Sequence, residues 1–229
     1  MRTISGIAIS IALALAPSTQ NRQTIDSGWT SEFAVAEGDW TSTGRNPYFV
    51  LEPGYVLELA NGGDRLVVTV LNDTRSIDGV TTRVVEERET KDGRPVEVSR
   101  NYFAMSTRTN AVFYFGEDVD AYKDGKVANH DGSWIAGQSG ARFGLMMPGL
   151  PLVKARYYQE IAPRIAMDRA EIVSMTETLQ TPAGTFTGVL KTIETSQLES
   201  GPGEAKYYAA GVGLLQDGSL KLVKYGSGR

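Results

Sequence analysis

From Tyr48 onward, short runs of Val, Ile, Thr, Tyr and Phe alternate with breaks that carry Gly, Pro, Asn or Asp. Such runs, bounded by turn residues and without a 3.6-residue period, predict strands. The Asp-Gly dipeptides at Asp92-Gly93, Asp124-Gly125 and Asp217-Gly218 sit between such runs, and both residue types tolerate the positive φ of a type I′ hairpin turn. The pattern predicts a meander over 79–91, 94–105, 111–122 and 126–135, in which the two-residue turns allow only antiparallel neighbours. Upstream, Pro53-Gly54 turns into Tyr55-Val56-Leu57-Glu58-Leu59, and Asn61-Gly62-Gly63 leads to 66–71. Downstream, 168–179 and 185–195 are joined through Thr181-Pro182-Ala183-Gly184; 204–209 follows, and 213–216 pairs back on 220–225. The apolar stretch Leu145 to Pro151 contains two prolines and is read as a connection or lid, since proline is confined to sheet edges. Only 152–166 has room for a short helix. The expected fold is therefore all-β: one antiparallel, strongly curved sheet or half-barrel meander, with a Gly/Pro/Met-rich connection over its concave side and at most one short helix.

The organisation follows from the ends of the chain. A single cation, Arg2, precedes the ten-residue apolar run Ile7 to Ala16, which is too short to span a bilayer and reads as a secretory signal over 1–16. Residues 17–44 are rich in Ser, Thr and Gln and form a poorly structured N-terminal segment in which Trp29, Phe33 and Trp40 cover an edge of the sheet. The β domain occupies 45–226. A net charge of -4 leaves no electrostatic footprint for nucleic acid. The chain has no cysteine, hence neither a disulfide nor a lipidated-cysteine anchor, and the expected location is periplasmic or extracellular with no transmembrane segment in the mature chain.

Register carries the chemistry. A two-residue loop at Asp124-Gly125 opposes Lys123 with Lys126, Tyr122 with Val127, Asp120 with Asn129 and Asp118 with Asp131. Asp118, Asp120, Asn129 and Asp131 then share one face, an oxygen set of the kind Ca²⁺ takes, although it lacks the spacing of an EF-hand loop. The competing reading is a solvated edge hairpin. The only histidine, His130, falls on the other face opposite Val119; without a cysteine or second histidine it builds no usual zinc site, but an imidazole suits a general base. In the preceding hairpin, Arg88 opposes Glu97 with Glu86, Glu87, Glu89 and Arg100 nearby, which reads as a charged ribbon projecting into water. Gly137-Gln138-Ser139-Gly140-Ala141 lacks the last glycine of a nucleophile elbow, and Gly211-Val212-Gly213-Leu214 lacks the third glycine of a dinucleotide fingerprint.

Five strings carry a resemblance: Arg45-Asn46-Pro47-Tyr48-Phe49, Phe115-Gly116-Glu117-Asp118-Val119-Asp120, Tyr157-Tyr158-Gln159-Glu160, Thr181-Pro182-Ala183-Gly184-Thr185-Phe186 and Lys206-Tyr207-Tyr208-Ala209-Ala210-Gly211-Val212-Gly213-Leu214. Together they resemble a family of exported bacterial β-sheet proteins without an assigned activity and, more distantly, periplasmic curved-sheet proteins like the lipoprotein carriers. The resemblance implies the fold and the compartment and supplies no catalytic residues. Three functional expectations stand beside it. The first is a noncatalytic envelope protein binding an apolar small molecule or lipid on a concave face built from Phe113, Phe115, Tyr207 and Tyr208 under Met146 and Met147. The second is a structural or adhesion protein stabilised by Ca²⁺ at Asp118, Asp120, Asn129 and Asp131. The third is a hydrolase using His130.

Overall fold

The computed structural model describes residues 25–227; the expected signal, 1–16, lies outside the described residues. Three short pieces come first, β1 (Trp40–Thr41), β2 (Arg45–Asn46) and β3 (Phe49–Val50). A meander follows through β4 (Tyr55–Asn61), β5 (Asp64–Ile77), β6 (Val80–Lys91), β7 (Arg94–Ser106) and β8 (Val112–Lys123). Along the far edge of β8 lie, in succession, β9 (Lys126–Asn129), β10 (Trp134–Ile135) and β11 (Arg142–Met147). Two short strands, β12 (Arg156–Tyr158) and β13 (Glu160–Ile161), precede a second meander of β14 (Asp168–Thr181), β15 (Gly184–Ser196), β16 (Glu204–Ala209), β17 (Gly213–Asp217) and β18 (Leu220–Ser227).

The two meanders join where β18 pairs antiparallel with β4, Leu222 opposite Leu59 and Ser227 opposite Tyr55. At the other margin β12 pairs with β14 and β13 with β11, so the single segment 156–161 touches both ends of the sheet. The result is one large antiparallel sheet, nearly closed into a barrel, with no helix among the described residues. Among the described residues no helix is long and apolar enough to cross a membrane.

Turn chemistry accounts for the register. Asp92 and Gly93 take φ of 50° and 76°, and Asp124 and Gly125 take 52° and 75°, the double positive φ that a type I′ turn requires. Asp78 and Gly79, at 48° and 77°, make a further turn of the same kind between β5 and β6. The third expected turn differs. Asp217 is the last residue of β17 and pairs with Leu220, leaving Gly218-Ser219 as the loop. Gly218 has φ of 52° in the first loop position, the type II′ arrangement.

Two other expectations are corrected. The 145–151 stretch is not a lid: Gly144, Leu145 and Met147 pair with Tyr114, Phe113 and Val112, because Pro148 and Pro151 fall just beyond the last paired residue and leave the ladder intact. Leu150, Leu152 and Val153 beyond them face solvent, Leu150 being 78% exposed. The room for a helix at 152–166 is taken by β12 and β13.

Residues 25–44 pack on the outside of the sheet. The Trp40 ring lies edge-on to Phe113, Phe115 and Phe143 at 5.4, 5.3 and 5.7 Å, and Phe33 meets Phe113 at 5.6 Å. Trp29 meets Tyr158 at 6.4 Å, with the Arg169 guanidinium 4.6 Å from the Trp29 ring centre. Aromatic contacts of this geometry add to the burial of large apolar rings. Trp40→Ala is expected to cost about 3 kcal/mol by cavity formation and to release this segment for proteolysis while the strands persist. A chemical melt combined with limited proteolysis checks it.

Candidate functional site

The interior face of the sheet is set by strand register. Glu87 and Glu89 of β6 alternate with Glu86 and Arg88, so they share the inward face with Val85; across β5 they oppose Val68 and Leu66. On β7 the opposite residues are Asn101, Ser99 and Glu97, and on β8 Asn101 opposes Glu117 while Phe103 opposes Tyr114. From the second meander, β15 and β16 bring Leu190 opposite Tyr208 and Thr192 opposite Lys206, and β17 brings Asp217 opposite Lys206. Among the described residues, this face and the strands beside it bring Glu87, Glu89, Glu97, Glu117, Glu160, Asp168, Glu194 and Asp217 near one another and near the cation Lys206.

Lys206 Nζ lies 3.2 Å from Glu194 Oε2 and 3.3 Å from Asp217 Oδ2. The other Glu194 oxygen, Oε1, accepts hydrogen bonds from Gln159 Nε2 at 3.2 Å, Thr192 Oγ1 at 3.3 Å and Tyr208 Oη at 3.3 Å. Burial favours loss of the Lys206 proton, but the Glu194 and Asp217 carboxylates outweigh it and hold the amine protonated well above the usual lysine range. A protonated, doubly paired amine has no lone pair for nucleophilic chemistry.

The remaining carboxyls respond to the same surroundings in the opposite sense. Burial, reinforced by neighbouring acids, pushes Glu87 and Glu117 up to about 7. Glu160 rises well above the usual carboxylic range through burial and the charges of Glu117 and Asp168. Burial raises Glu89, Glu97 and Asp168 as well. Tyr114 Oη donates to Asn101 Oδ1 on this face. Tyr157 is 2% exposed, and its hydroxyl finds no hydrogen-bond partner, with Glu194 the charged group acting on it. Its neighbour Tyr158 points the opposite way, accepting from the Asp26 amide and donating to Gln197 Oε1 at 2.7 Å.

The lumen contains open space. An apolar slot of about 70 Å³ is lined by Tyr48, Phe49, Tyr55, Leu57, Val68 and Val85 and ends at Glu87, Lys206 and Asp217. Two wider clefts of about 400 and 430 Å³, open to solvent, one under the 199–203 loop and one beside Glu89 and Asp217, have Lys206 in their walls too. The β2–β3 hairpin lies across the interior, with Phe49 against Phe103 at 5.0 Å, and contributes Tyr48 to Val50 to the slot.

Of the six residues expected on the concave face, Met146 and Tyr208 line the slot. Phe113 and Phe115 point the other way, because the inward residue between them is Tyr114, and they are sealed beneath Phe33 and Trp40. Tyr207 is likewise outward, its ring 5.4 Å from Lys191 Nζ, while Met147 is fully buried in packing.

The oxygen set expected for Ca²⁺ does not assemble. An irregularity at Ala121/Tyr122 pairs Asn129 with Ala121 instead of Asp120, and Asp131 lies beyond the end of β9. Asp118 Oδ2 accepts from Arg75 Nη1 at 2.8 Å and Tyr102 Oη at 2.6 Å, whereas Asp120 is paired with Arg100 at 3.4 Å. Asn129 Oδ1 accepts from the Asp131 amide. Among the described residues no three His, Asp or Glu side chains gather as a metal ion requires. His130 is 68% exposed at its side chain and lines none of these three spaces; its Nδ1 lies 2.8 Å from the Val119 carbonyl and 3.0 Å from Asp120 Oδ1.

The charged ribbon expected at 86–100 is found at the hairpin tip, where Arg88, Glu89, Lys91, Asp92 and Arg94 are exposed, but its base differs. Pro95 lacks the N–H that would continue the ladder, and the register shifts between Glu89 and Thr90, so that Glu97 opposes Glu89 and Arg88 opposes Val98. Glu97 thus shares the face of Glu87 and Glu89, with Glu89 exposed to solvent.

The geometry defines an all-β, nearly closed antiparallel barrel with an acidic, partly open interior. Comparison of the chain with protein-family models, curated protein sequences and solved structures returned no match.

Proposed function

We propose that this chain is a noncatalytic exported protein of the bacterial envelope that binds or carries a small amphipathic molecule inside its barrel. The observation that carries this reading is the continuity at Lys206. An apolar slot walled by Tyr48, Tyr55, Leu57 and Val85 ends on the same charged residue that lines both wider clefts. A ligand with an apolar part and a polar end matches that arrangement, since binding sites are mostly apolar with a few placed polar groups. The protonated, ion-paired state of Lys206 and the absence of His130 from the walls of the slot and the two clefts favour binding over covalent chemistry. The export signal, the absence of cysteine and the resemblance in the Lys206 to Leu214 string support the compartment.

Native mass spectrometry of protein purified from its own host tests the reading. The expected spectrum carries a mass increment that disappears on denaturation, and organic extraction yields the corresponding small molecule. A bare polypeptide mass, together with unchanged melting in an extract of host metabolites, would overturn it, because any ligand present well above its dissociation constant stabilises the folded state.

A further inference from the structure

We propose that the turn at 149–155 is a membrane-contacting tip: Leu150, Leu152 and Val153 enter the acyl boundary of an anionic bilayer, and Lys154 meets its phosphates. This goes beyond the binding reading and holds whatever the barrel interior carries.

The first ground is where the apolar exposure lies. Leu150, Leu152 and Val153 are 78%, 63% and 49% exposed, the three highest values for large apolar side chains among the described residues. The others, Val96, Val127, Ile165, Leu198 and Tyr225, stand singly along the chain. Scattered apolar residues are ordinary on a protein surface, whereas a contiguous exposed patch marks a contact.

The second ground is that the backbone holds this turn out in the solvent. Before it, the Pro148 carbonyl accepts from Asn46 Nδ2 at 2.9 Å, and Gly149 packs so closely on the Thr109 carbonyl that a side chain there would collide with it. After it, the Lys154 amide donates to the Ile172 carbonyl at 2.7 Å, and the Ile172 amide to the Ala155 carbonyl at 3.0 Å. The Ala155 amide closes the turn on the Leu152 carbonyl at 3.0 Å, and Pro151, buried between the two leucines, fixes its own φ. A turn clamped in this way has little conformational freedom left to lose on insertion.

The third ground is charge, and it selects the occupant. Residues 132–159 contain no Asp or Glu, although the whole chain carries a net charge of -4. Within them Arg142 is paired with Glu32 at 2.6 Å and Arg156 with Glu171 at 2.8 Å, whereas Lys154 forms no ion pair among the described residues. In the neighbouring 107–110 loop, Arg108 is held by Asp39 at 3.0 Å. An uncommitted lysine directly after an exposed apolar turn suits a surface where phosphate overlies hydrocarbon, because its stem lies along the apolar layer while the ammonium reaches the head groups. A protein partner is a poorer match, since a specific interface takes roughly 20–30 residues from each side.

The chain has no cysteine, so Leu152→Cys takes one environment-sensitive fluorophore at the tip and Leu198→Cys one at a control site. With vesicles of equimolar phosphatidylcholine and phosphatidylglycerol, the tip label is expected to shift to shorter wavelength and to be quenched by lipids brominated in the acyl chain, while the Leu198 label stays unchanged. In co-sedimentation, Leu150→Ser/Leu152→Ser is expected to weaken binding at least tenfold. Lys154→Gln is expected to weaken it about fivefold on the mixed vesicles and not at all on pure phosphatidylcholine. A tip label that stays wet on the mixed vesicles, or a serine variant that sediments as well as the unaltered protein, overturns the proposal. Attachment through the apolar run at 7–16 would leave the tip label wet and so overturn it too. Self-association that the serine variant abolishes, without vesicle binding, overturns it in favour of a second copy of the chain. The altered side chains face solvent, and matched melting of variant and unaltered protein verifies that folding is retained.

Discussion

Lys206→Met is expected to destabilise the protein by about 3 kcal/mol and to lower its melting temperature by roughly 6–12 °C. The substitution keeps the length of the side chain and removes the charge that joins Glu194 on β15 to Asp217 on β17. Two carboxylates would be left facing each other and the lumen glutamates without compensation. Removing one partner of a fully buried pair costs about 3–5 kcal/mol. The lower end applies, because a quarter of the Lys206 side chain still reaches solvent. The triple variant Lys206→Met/Glu194→Gln/Asp217→Asn is expected to recover much of the loss, since it removes the stranded charges along with the cation. A single variant melting within about 2 °C of the unaltered protein would show that the lumen charges are effectively in water.

Raising the pH from about 5 to about 8 is expected to lower stability. Glu87 and Glu117 titrate near 7 in the folded protein and near the usual glutamate value of 4.5 when unfolded. Between those values the folded state holds more protons than the unfolded state, so stability is fully present below about 4.5 and is lost as the pH rises through about 7. A carboxyl displaced that far is worth on the order of 3 kcal/mol. The two sites act on each other, so the combined effect is smaller than twice that figure. Glu87→Gln is expected to flatten the pH dependence and to raise the melting temperature at about pH 8, because a neutral amide avoids the cost of a buried charge. Melts across this range check both outcomes; an unaltered protein that is more stable at the alkaline end would refute the buried-acid description.

Much of the frame was legible because hairpin chemistry is local. The Asp92-Gly93 and Asp124-Gly125 turns, the long strands they join and the all-β class follow from residue types that tolerate positive φ between β-branched runs. Departures from regular pairing were not legible. The shift beside Pro95 brought Glu97 onto the face of Glu87 and Glu89, and the irregularity at Ala121/Tyr122 turned an expected oxygen cluster into separate ion pairs. One signal for the acidic interior was present in the sequence. The Asp78-Gly79 turn places Glu87 and Glu89 on the same face as Val68 and Leu66 of the preceding strand, so glutamates sharing an apolar row point inward. The pairing of Asp217 with Lys206 depended on a type II′ turn one residue later than the Asp-Gly dipeptide suggests.

The junction of β18 with β4 sets an order of events during biosynthesis. The strand at 55–61 emerges early, but its second neighbour is 220–227, so one side of it stays without a partner until that distant strand has been made. An uncovered strand margin is a template for unwanted association, and long-range closure of this kind is slow. Loss of the eight-residue strand 220–227 would therefore do more than remove one strand: it would leave a permanently sticky flank, and nascent chains would need shielding until this stitch is made.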